Sequence, residues 1–234
     1  MTDSLGLAQR ILNDAQRIHI FSGAGMSAES GLDTYRDAQT GVWSHVDPQA
    51  MASIDAWARD PDPMWRWYKH RAKIAAAATP NAGHLAIANC SRTSVTTQNI
   101  DNLHEKAGSE DVIHLHGSLF EYRCSMCARP YKGDTDVPTP PACPLCGNLV
   151  RPGVVWFGEP LPQKEWAAAE EAMTLADAVI IVGTSGVVYP AAGLPMLASA
   201  PIIEVSPART DLTHLTTAYI QGTAGTILPE ILPD

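Results

Sequence analysis

Four cysteines near the middle of the chain constrain its fold more than any other feature. Cys124 and Cys127 are followed, after fifteen intervening residues, by Cys143 and Cys146. Two Cys-x-x-Cys knuckles at that separation are the ligand set of a zinc ribbon. Four thiolates close a tetrahedral site and leave no position open for water or substrate, so this metal is expected to be structural rather than catalytic. Disulfides are the competing reading, but they belong to oxidising compartments. The first twenty residues, MTDSLGLAQRILNDAQRIHI, lack a basic start followed by an apolar core, and Asp3 stands where a secretory signal carries positive charge. A cytoplasmic protein is therefore expected, and with it zinc. Cys90 falls outside the pattern and reads as a small buried hydrophobe.

The cysteines lie in a segment, Phe120 to Pro152, with Pro138, Pro140, Pro141 and Pro144 and little helical periodicity. This reads as a small inserted module. The chain of 234 residues is long enough for one large domain around it. Apolar runs at Arg17 to Phe21, Val112 to Leu115, Val179 to Val182 and Ile202 to Val205 each empty into Gly, Pro, Ser or Thr, and helical stretches separate them. That alternation implies a parallel α/β sheet. Helices are expected behind Ser4 as a cap and from Asp62-Pro63 towards Pro80. Ala178 to Ile203 has no charged residue, but Gly183, Gly186, Pro190, Gly193, Pro195 and Pro201 divide it into strand, loop and strand rather than a membrane span. The net charge of −9, without a basic cluster, argues against a nucleic-acid partner.

Three clusters carry candidate chemistry. Gly23-Ala24-Gly25-Met26-Ser27-Ala28 follows a strand and fits GxGxxG/A, the turn that brings backbone N–H groups to a pyrophosphate. A turn serving only chain reversal is the bland alternative. The acidic residue that grips a ribose about 20 residues further on, after a second strand, is missing, which disfavours an ordinary dehydrogenase. Gln98, Asn99, Ile100 and Asp101 end the β-branched run at Thr93 to Thr97, in the position where α/β sheets bind ligands. A helix cap explains Asp101 but not the two amides. His114 and His116 end another strand on the same side of it; His114 reads as structural.

Taken in order, GAGMSAESGLDTYR, TQNIDNLH, HLHGS, the paired CxxC knuckles, RPGVVWFGE and GTSGVVYPAAG resemble the sirtuins, NAD-dependent protein lysine deacylases, over nearly the whole chain. The resemblance implies a Rossmann-like NAD-binding domain from 1–38, 81–118 and 152–234. The small domain then combines a helical insertion, 39–80, with the zinc ribbon, 119–151. It further implies that Gly23, Ala24, Gly25, Met26, Thr34, Tyr35 and Arg36 shape the NAD loop, and that Gln98, Asn99, Ile100 and Asp101 hold nicotinamide and its ribose. Gly183, Thr184, Ser185, Ser206, Gly222 and Ala224 would face the adenosine side. His116 resembles the general base, with Asn99 beside it in the catalytic pair, and Val154, Val155, Trp156, Phe157 and Gly158 resemble the segment that pairs with substrate backbone. NAD is then consumed as co-substrate, one structural zinc is present, and the partners are acylated lysine side chains of proteins, with no nucleic acid and no membrane.

Three departures stand out. Asp33 replaces a frequent Pro and Tyr35 a frequent Phe. Ser206 stands where sirtuins usually place an Asn, which implies weaker NAD affinity. Tyr68 and Arg71, three apart on one helix face, resemble the succinyl- and malonyl-removing branch, with Ala28 leaving room for a longer acyl chain. A phenol and a guanidinium suit an acyl carboxylate. The alternatives are a deacetylase without acidic-acyl preference, an NAD-consuming ADP-ribosyltransferase, and a non-catalytic ribbon that recognises nucleic acid.

Overall fold

The computed structural model describes residues 2–32 and 51–233. Six parallel strands form the main sheet: β1 (Ile18–Ser22), β2 (Thr93–Thr97), β3 (Ile113–His114), β6 (Ala178–Val182), β7 (Ile202–Ser206) and β8 (Ala218–Gln221). Their spatial order is β3-β2-β1-β6-β7-β8, so chain direction across the sheet reverses between β1 and β6. This is the doubly wound order, and ligands of such sheets bind outside the strand C-termini at the reversal. Strands β1, β6 and β7 are buried along their whole length. That is why they read as continuous apolar runs rather than as alternating ones.

Helices cover both faces. Helix α1 (Thr2–Asp14), α4 (Ala82–Asn89) and α7 (Ala224–Ile231) pack Leu12, Ile87 and Leu228 against Ile18, Ile20 and Ile180. On the opposite face Met173 of α6 (Gln163–Leu175) joins Phe21, Val179 and Ile181. Helix α1 starts at Thr2, so Ser4 lies inside it and is not its cap. Helix α2 (Ile54–Arg59) leads into α3 (Pro61–Ala77), which starts just before the expected Asp62-Pro63 because Asp60 caps it by accepting from the Asp62 N–H at 3.4 Å. The uncharged stretch forms strand, loop with 3-10 turns, and strand, and among the described residues no helix is long and apolar enough to cross a membrane.

The second sheet is an antiparallel pair, β4 (Gly117–Cys124) and β5 (Val150–Val154), that leaves the main sheet just after β3 and carries the cysteine knuckles between its strands. Helix α3 leans on this region through Trp65 Nε1 to the Val137 carbonyl (2.9 Å), Lys69 to Asp136 (2.6 Å) and the Trp65–Tyr122 ring pair (5.5 Å). Its other end is capped by Lys106 of α5 (Leu103–Ala107), whose ammonium donates to the carbonyls of Ala75, Ala76 and Ala78.

Candidate active site

Strand register brings the motifs together. Ser22 pairs with Thr97 on one side and Val182 on the other, and Thr97 pairs with His114. The residues that follow, Gly23, Gln98 and Gly183, therefore leave three neighbouring strands at one level, and His116 leaves the fourth. Gly23 N donates to the Val182 carbonyl and Gly25 N to that of Gly183. A Cβ on Gly25 would lie 2.8 Å from Gly183 Cα, and one on Gly183, whose φ is +66°, would lie 2.1 Å from Met26 N. These glycines are required first by contact between two loops, whatever they offer a pyrophosphate. Ala24 is exposed and Met26 is buried under the turn.

The polar cluster of β2 is tied to the first loop. Gln98 Nε2 donates to Thr184 Oγ1 (3.0 Å), and Asn99 Nδ2 donates to Ser27 Oγ (3.1 Å), which in turn donates to Asp101 Oδ2 (3.0 Å). Asp101 Oδ1 also accepts from Leu103 N and so caps α5. Burial raises the Asp101 carboxyl above its usual range, against those two hydrogen bonds. Ile100 is half-buried, and its carbonyl accepts from Leu119 N. The helix-cap reading of Asp101 thus holds alongside its place in the cluster.

Both histidines of HLHGS brace the same dipeptide. The His116 Nδ1 donates to the Gln98 carbonyl (3.0 Å) and the His114 Nδ1 to that of Asn99 (2.9 Å). A carbonyl only accepts, so the Nδ1 of His116 carries the proton and its Nε2 keeps a lone pair. Burial lowers the His116 pKa below the usual value, against the pull of the Gln98 carbonyl, so the ring is neutral at pH 7. His114 behaves oppositely. Its burial would lower the pKa, but Nε2 bonded to Glu105 at 2.6 Å and the Asn99 carbonyl raise it overall. Its ring bridges the Asn99 carbonyl and Glu105 and so braces that dipeptide.

At the far end Ser206 is buried at the tip of β7, its carbonyl accepting from Gly222 N and the Tyr219 hydroxyl. Ala224 opens α7 two residues beyond Gly222, so Ser206, Gly222 and Ala224 sit together, with Thr184 and Ser185 following β6. Thr34, Tyr35 and Arg36 lie outside the described residues, as does Asp33.

Tyr68 and Arg71 both belong to α3. Tyr68 is 3% exposed, and its ring meets Trp67 edge-on at 4.7 Å and Trp156 at 5.8 Å. Burial pushes the phenol up to about 12, against the pull of Arg71. The half-buried Arg71 guanidinium lies 4.8 Å from the Trp67 ring centroid. Trp156 belongs to the expected substrate segment, so α3 and that segment share one wall. Val155 N donates to the His116 carbonyl (2.9 Å), Phe157 N to that of Ala52 (2.8 Å), and Ile54 N to that of Phe157 (3.4 Å). Trp156 N is held by Glu159 at 2.8 Å. The N–H groups of Val155, Trp156 and Phe157 are thus occupied within the chain; Val154 is paired with Gly117 in the ribbon sheet, and Phe157 and Gly158 are exposed.

The four cysteine Sγ atoms lie within 4.8 Å of one another, with Cys124 to Cys146 at 3.4 Å and Cys127 to Cys143 at 3.9 Å. Tetrahedral Zn–S bonds of about 2.3 Å place sulfurs roughly 3.8 Å apart, so the cluster fits zinc. Met126 N, Cys127 N and Asn148 Nδ2 point at Cys124 and Cys146 sulfur, as donors to thiolates do.

Some participants escape sequence reasoning. Ser22 Oγ donates to Thr97 Oγ1 (2.8 Å) and contacts His104 Nε2 (3.0 Å) beneath the site, and Asn81 Nδ2 holds the Met26 carbonyl (2.8 Å). Glu29 reaches Thr223 Oγ1 and Gly225 N at the start of α7. Ser27 and Glu29 sit inside the GAGMSAES run and Thr97 and His104 inside TQNIDNLH, which was the available signal; Ser22 and Asn81 lie outside these motifs.

The Sir2 family model matches residues 23–190. NAD-dependent protein deacylase 2 of Corynebacterium efficiens is 58% identical over 245 aligned residues, covering 98% of this chain and 96% of that protein. The NAD-dependent protein deacylase of Mycobacterium tuberculosis is 48% identical over 229, covering 92% and 96%. Among solved structures, a Sir2 homolog–NAD complex superposes with a TM-score of 0.89 at 40% identity, covering 97% of this chain and 91% of that one. A Sir2 complex with a deacetylated p53 peptide and 3′-O-acetyl-ADP-ribose gives 0.86 at 29%, covering 97% of each. With its doubly wound sheet, its cysteine cluster and this likeness over nearly its full length, the chain belongs to the Sir2 family.

Proposed function

We propose that the protein removes acyl groups from protein lysine side chains, consuming NAD and releasing nicotinamide and 2′-O-acyl-ADP-ribose. The observation that carries the reading is the meeting of four strand ends, which puts His116 beside the Gln98–Asp101 cluster and against the 154–158 segment. Nicotinamide and its ribose would lie against Gln98, Asn99, Ile100 and Asp101. The adenosine half would run past Gly183, Thr184 and Ser185 towards Ser206, Gly222 and Ala224. NAD supplies the electrophilic ribose carbon; the acyl oxygen attacks it as nicotinamide leaves.

His116 then takes the proton of the ribose 2′-hydroxyl. Its Nδ1 is fixed by a carbonyl, so the lone pair on Nε2 faces the reaction, and its lowered pKa keeps that lone pair free at neutral pH. Replacing His116 with Ala leaves a folded protein that still binds NAD, with turnover lower by about 100-fold or more, the scale of a lost general base. Single-turnover kinetics beside a calorimetric NAD titration measure both, and near-normal turnover overturns the assignment.

The acyl preference follows from Tyr68 and Arg71. The phenol, kept protonated by burial, can donate, and the guanidinium supplies the charge that a succinyl or malonyl carboxylate needs. The rival role, Arg71 packed on Trp67, has direct geometric support. Acetyl, malonyl and succinyl peptides in one NAD-dependence assay separate the two. In a Tyr68→Phe, Arg71→Met double variant the KM for acidic acyl peptides rises roughly 10- to 150-fold while acetyl turnover holds. An unchanged succinyl-to-acetyl ratio returns the enzyme to a general deacetylase. Peptide mass decides against ADP-ribosyl transfer, because deacylation lowers it and transfer raises it.

A further inference from the structure

The segment RPGVVWFGE begins and ends on opposite charges, Arg151 and Glu159. Arg151 is 3% exposed, although it is an arginine. Burial of a guanidinium is costly unless it is paired and fully hydrogen-bonded. Its partner is Glu159, which engages both terminal nitrogens, while its Nε is buried without a hydrogen-bond partner. Arg151 donates to Glu159 Oε1 at 2.5 Å and to Oε2 at 2.9 Å, gives a further bond to the Val154 carbonyl at 2.8 Å, and lies 3.3 Å over the Trp156 ring. Glu159 also accepts from Arg123 at 3.3 Å and from the backbone N–H of Trp156 at 2.8 Å. Four donors therefore converge on one carboxylate.

The two arginines are neighbours by register. Arg123 of β4 stands opposite Arg151 of β5, and the next pair towards the metal is Cys124 opposite Val150. Like charges directly opposite each other weaken a strand pair. Here the carboxylate of Glu159 lies between them and cancels that repulsion. The same carboxylate holds the turn of the substrate segment at Trp156. A continuous set of bonds thus runs from a cysteine of the ribbon, through the paired arginines, to the loop next to His116.

We propose that Glu159 is a positioning residue that couples the register of the ribbon strands to the shape of the 154–158 loop, and so to the binding of the acyl-lysine peptide. The inference rests on the deacylase reading above and deepens it by giving the ribbon a task in substrate binding. The residues assigned to NAD above, Gly23 to Met26, Gln98 to Asp101 and Gly183 to Ser185, are on other loops, so NAD binding is expected to be unaffected.

Glu159→Gln is a sharp probe because every neighbour of the carboxylate is a donor. With the NH2 in the Oε1 position it faces Arg151 and Arg123, and in the Oε2 position it faces Arg151 and the Trp156 N–H, so two bonds, one of them from Arg151, are lost either way. The expected result is a KM for acylated peptide raised about 10-fold or more, with kcat and the KM for NAD within about 2-fold of wild type. A merely structural defect would instead lower kcat and the active fraction for both substrates together. Arg123→Gln added to Glu159→Gln removes the cross-strand repulsion but restores none of the bonds that the amide loses at Arg151 and the loop. The double variant should recover thermal stability and keep the high peptide KM, and it also serves if the single variant folds poorly. Recovery of a normal peptide KM in the double variant, or an unchanged one in Glu159→Gln, overturns the proposal. A wild-type enzyme inactive on every acyl peptide would instead overturn the deacylase reading, so the two failures are distinct.

Discussion

The main sheet and the ribbon are held together by different means. One face of the sheet alone gathers a continuous buried core from Ala8 and Leu12 through Ile20 and Ile180 to Ile231, and the other face has its own around Phe21 and Ile181. Around the knuckles the buried set shrinks to Cys124, Cys143 and Val150, with Tyr122 and Tyr131 half-buried beside them. Burying a single Leu or Val contributes about 1.5–3 kcal/mol, so this small apolar set cannot offset the ordering of the segment 119–151, which costs about 1–2 kcal/mol per residue. The sheet can stand on packing. The ribbon stands on four thiolates and, where β4 and β5 meet the 154–158 loop, on an enclosed cluster of charges.

Metal removal tests that contrast most severely. Structural zinc supplies apparent binding free energies of about 10–16 kcal/mol in small zinc modules, and that energy is also folding energy. Native protein is expected to hold one zinc per chain. Chelation, or Cys124→Ser, should open residues 119–151 to rapid hydrogen exchange while β1, β2 and β6 remain protected. Peptide binding should weaken with the ribbon, because the 154–158 loop is tied to it through Glu159. Exchange that accelerates in sheet and ribbon together would break the contrast. A purified protein without metal, its four thiols linked as disulfides, would remove the zinc site altogether.

What sequence reading captures divides along the same line. Strands β1 and β6 are buried along their whole length, so Ile18 to Phe21 and Val179 to Val182 announce themselves as apolar runs, and the glycine-rich loops follow directly after them. The knuckles are legible because cysteine spacing is set by metal geometry, a local constraint. The helix starts at Thr2 and Pro61 were misjudged for a related reason: Ser4 and Asp62 are plausible caps locally, and only the folded backbone selects among neighbouring candidates. Arg151 and Glu159 stand in a quoted motif, yet their meaning depends on Arg123, which is 36 residues from Glu159 and arrives through a β4–β5 register with an irregularity between Ser118 and Tyr122. No pattern in the sequence specifies that register. The same holds for Glu29, whose partner Gly225 is 196 residues away. Long-range polar contacts are where function and fold meet here, and they are the least readable from sequence.

The smallest effect expected separates the two regions by acid. Among the described residues three histidines are buried in or against the main sheet: His19 in β1, bonded to Ser94 Oγ and Thr96 Oγ1; His84 in α4; and His104 in α5, its ring 4.9 Å from that of His84. Burial lowers His19 and His84 to about 4 and His104 to about 3, the last helped by the charges of His84 and His114. All three are therefore neutral in the folded protein at pH 5, whereas an unfolded chain titrates them near pH 6.5. Their folded pKa values are depressed, so stability is complete above pH 6.5. It falls as the pH drops towards 4, because the unfolded state takes up protons that the fold refuses. Each histidine contributes a slope of about 1.4 kcal/mol per pH unit at most. Urea midpoints between pH 7.5 and 5, read from hydrogen exchange in β1 and β2 with zinc kept in excess, should fall along that slope. His116, also lowered, adds to this slope and His114, raised, opposes it, so His19→Gln should flatten it by one proton's share without abolishing it. A sheet whose midpoint stays level over this range would mean that these rings already take up protons in the folded protein, and that the apolar core does not isolate them from water.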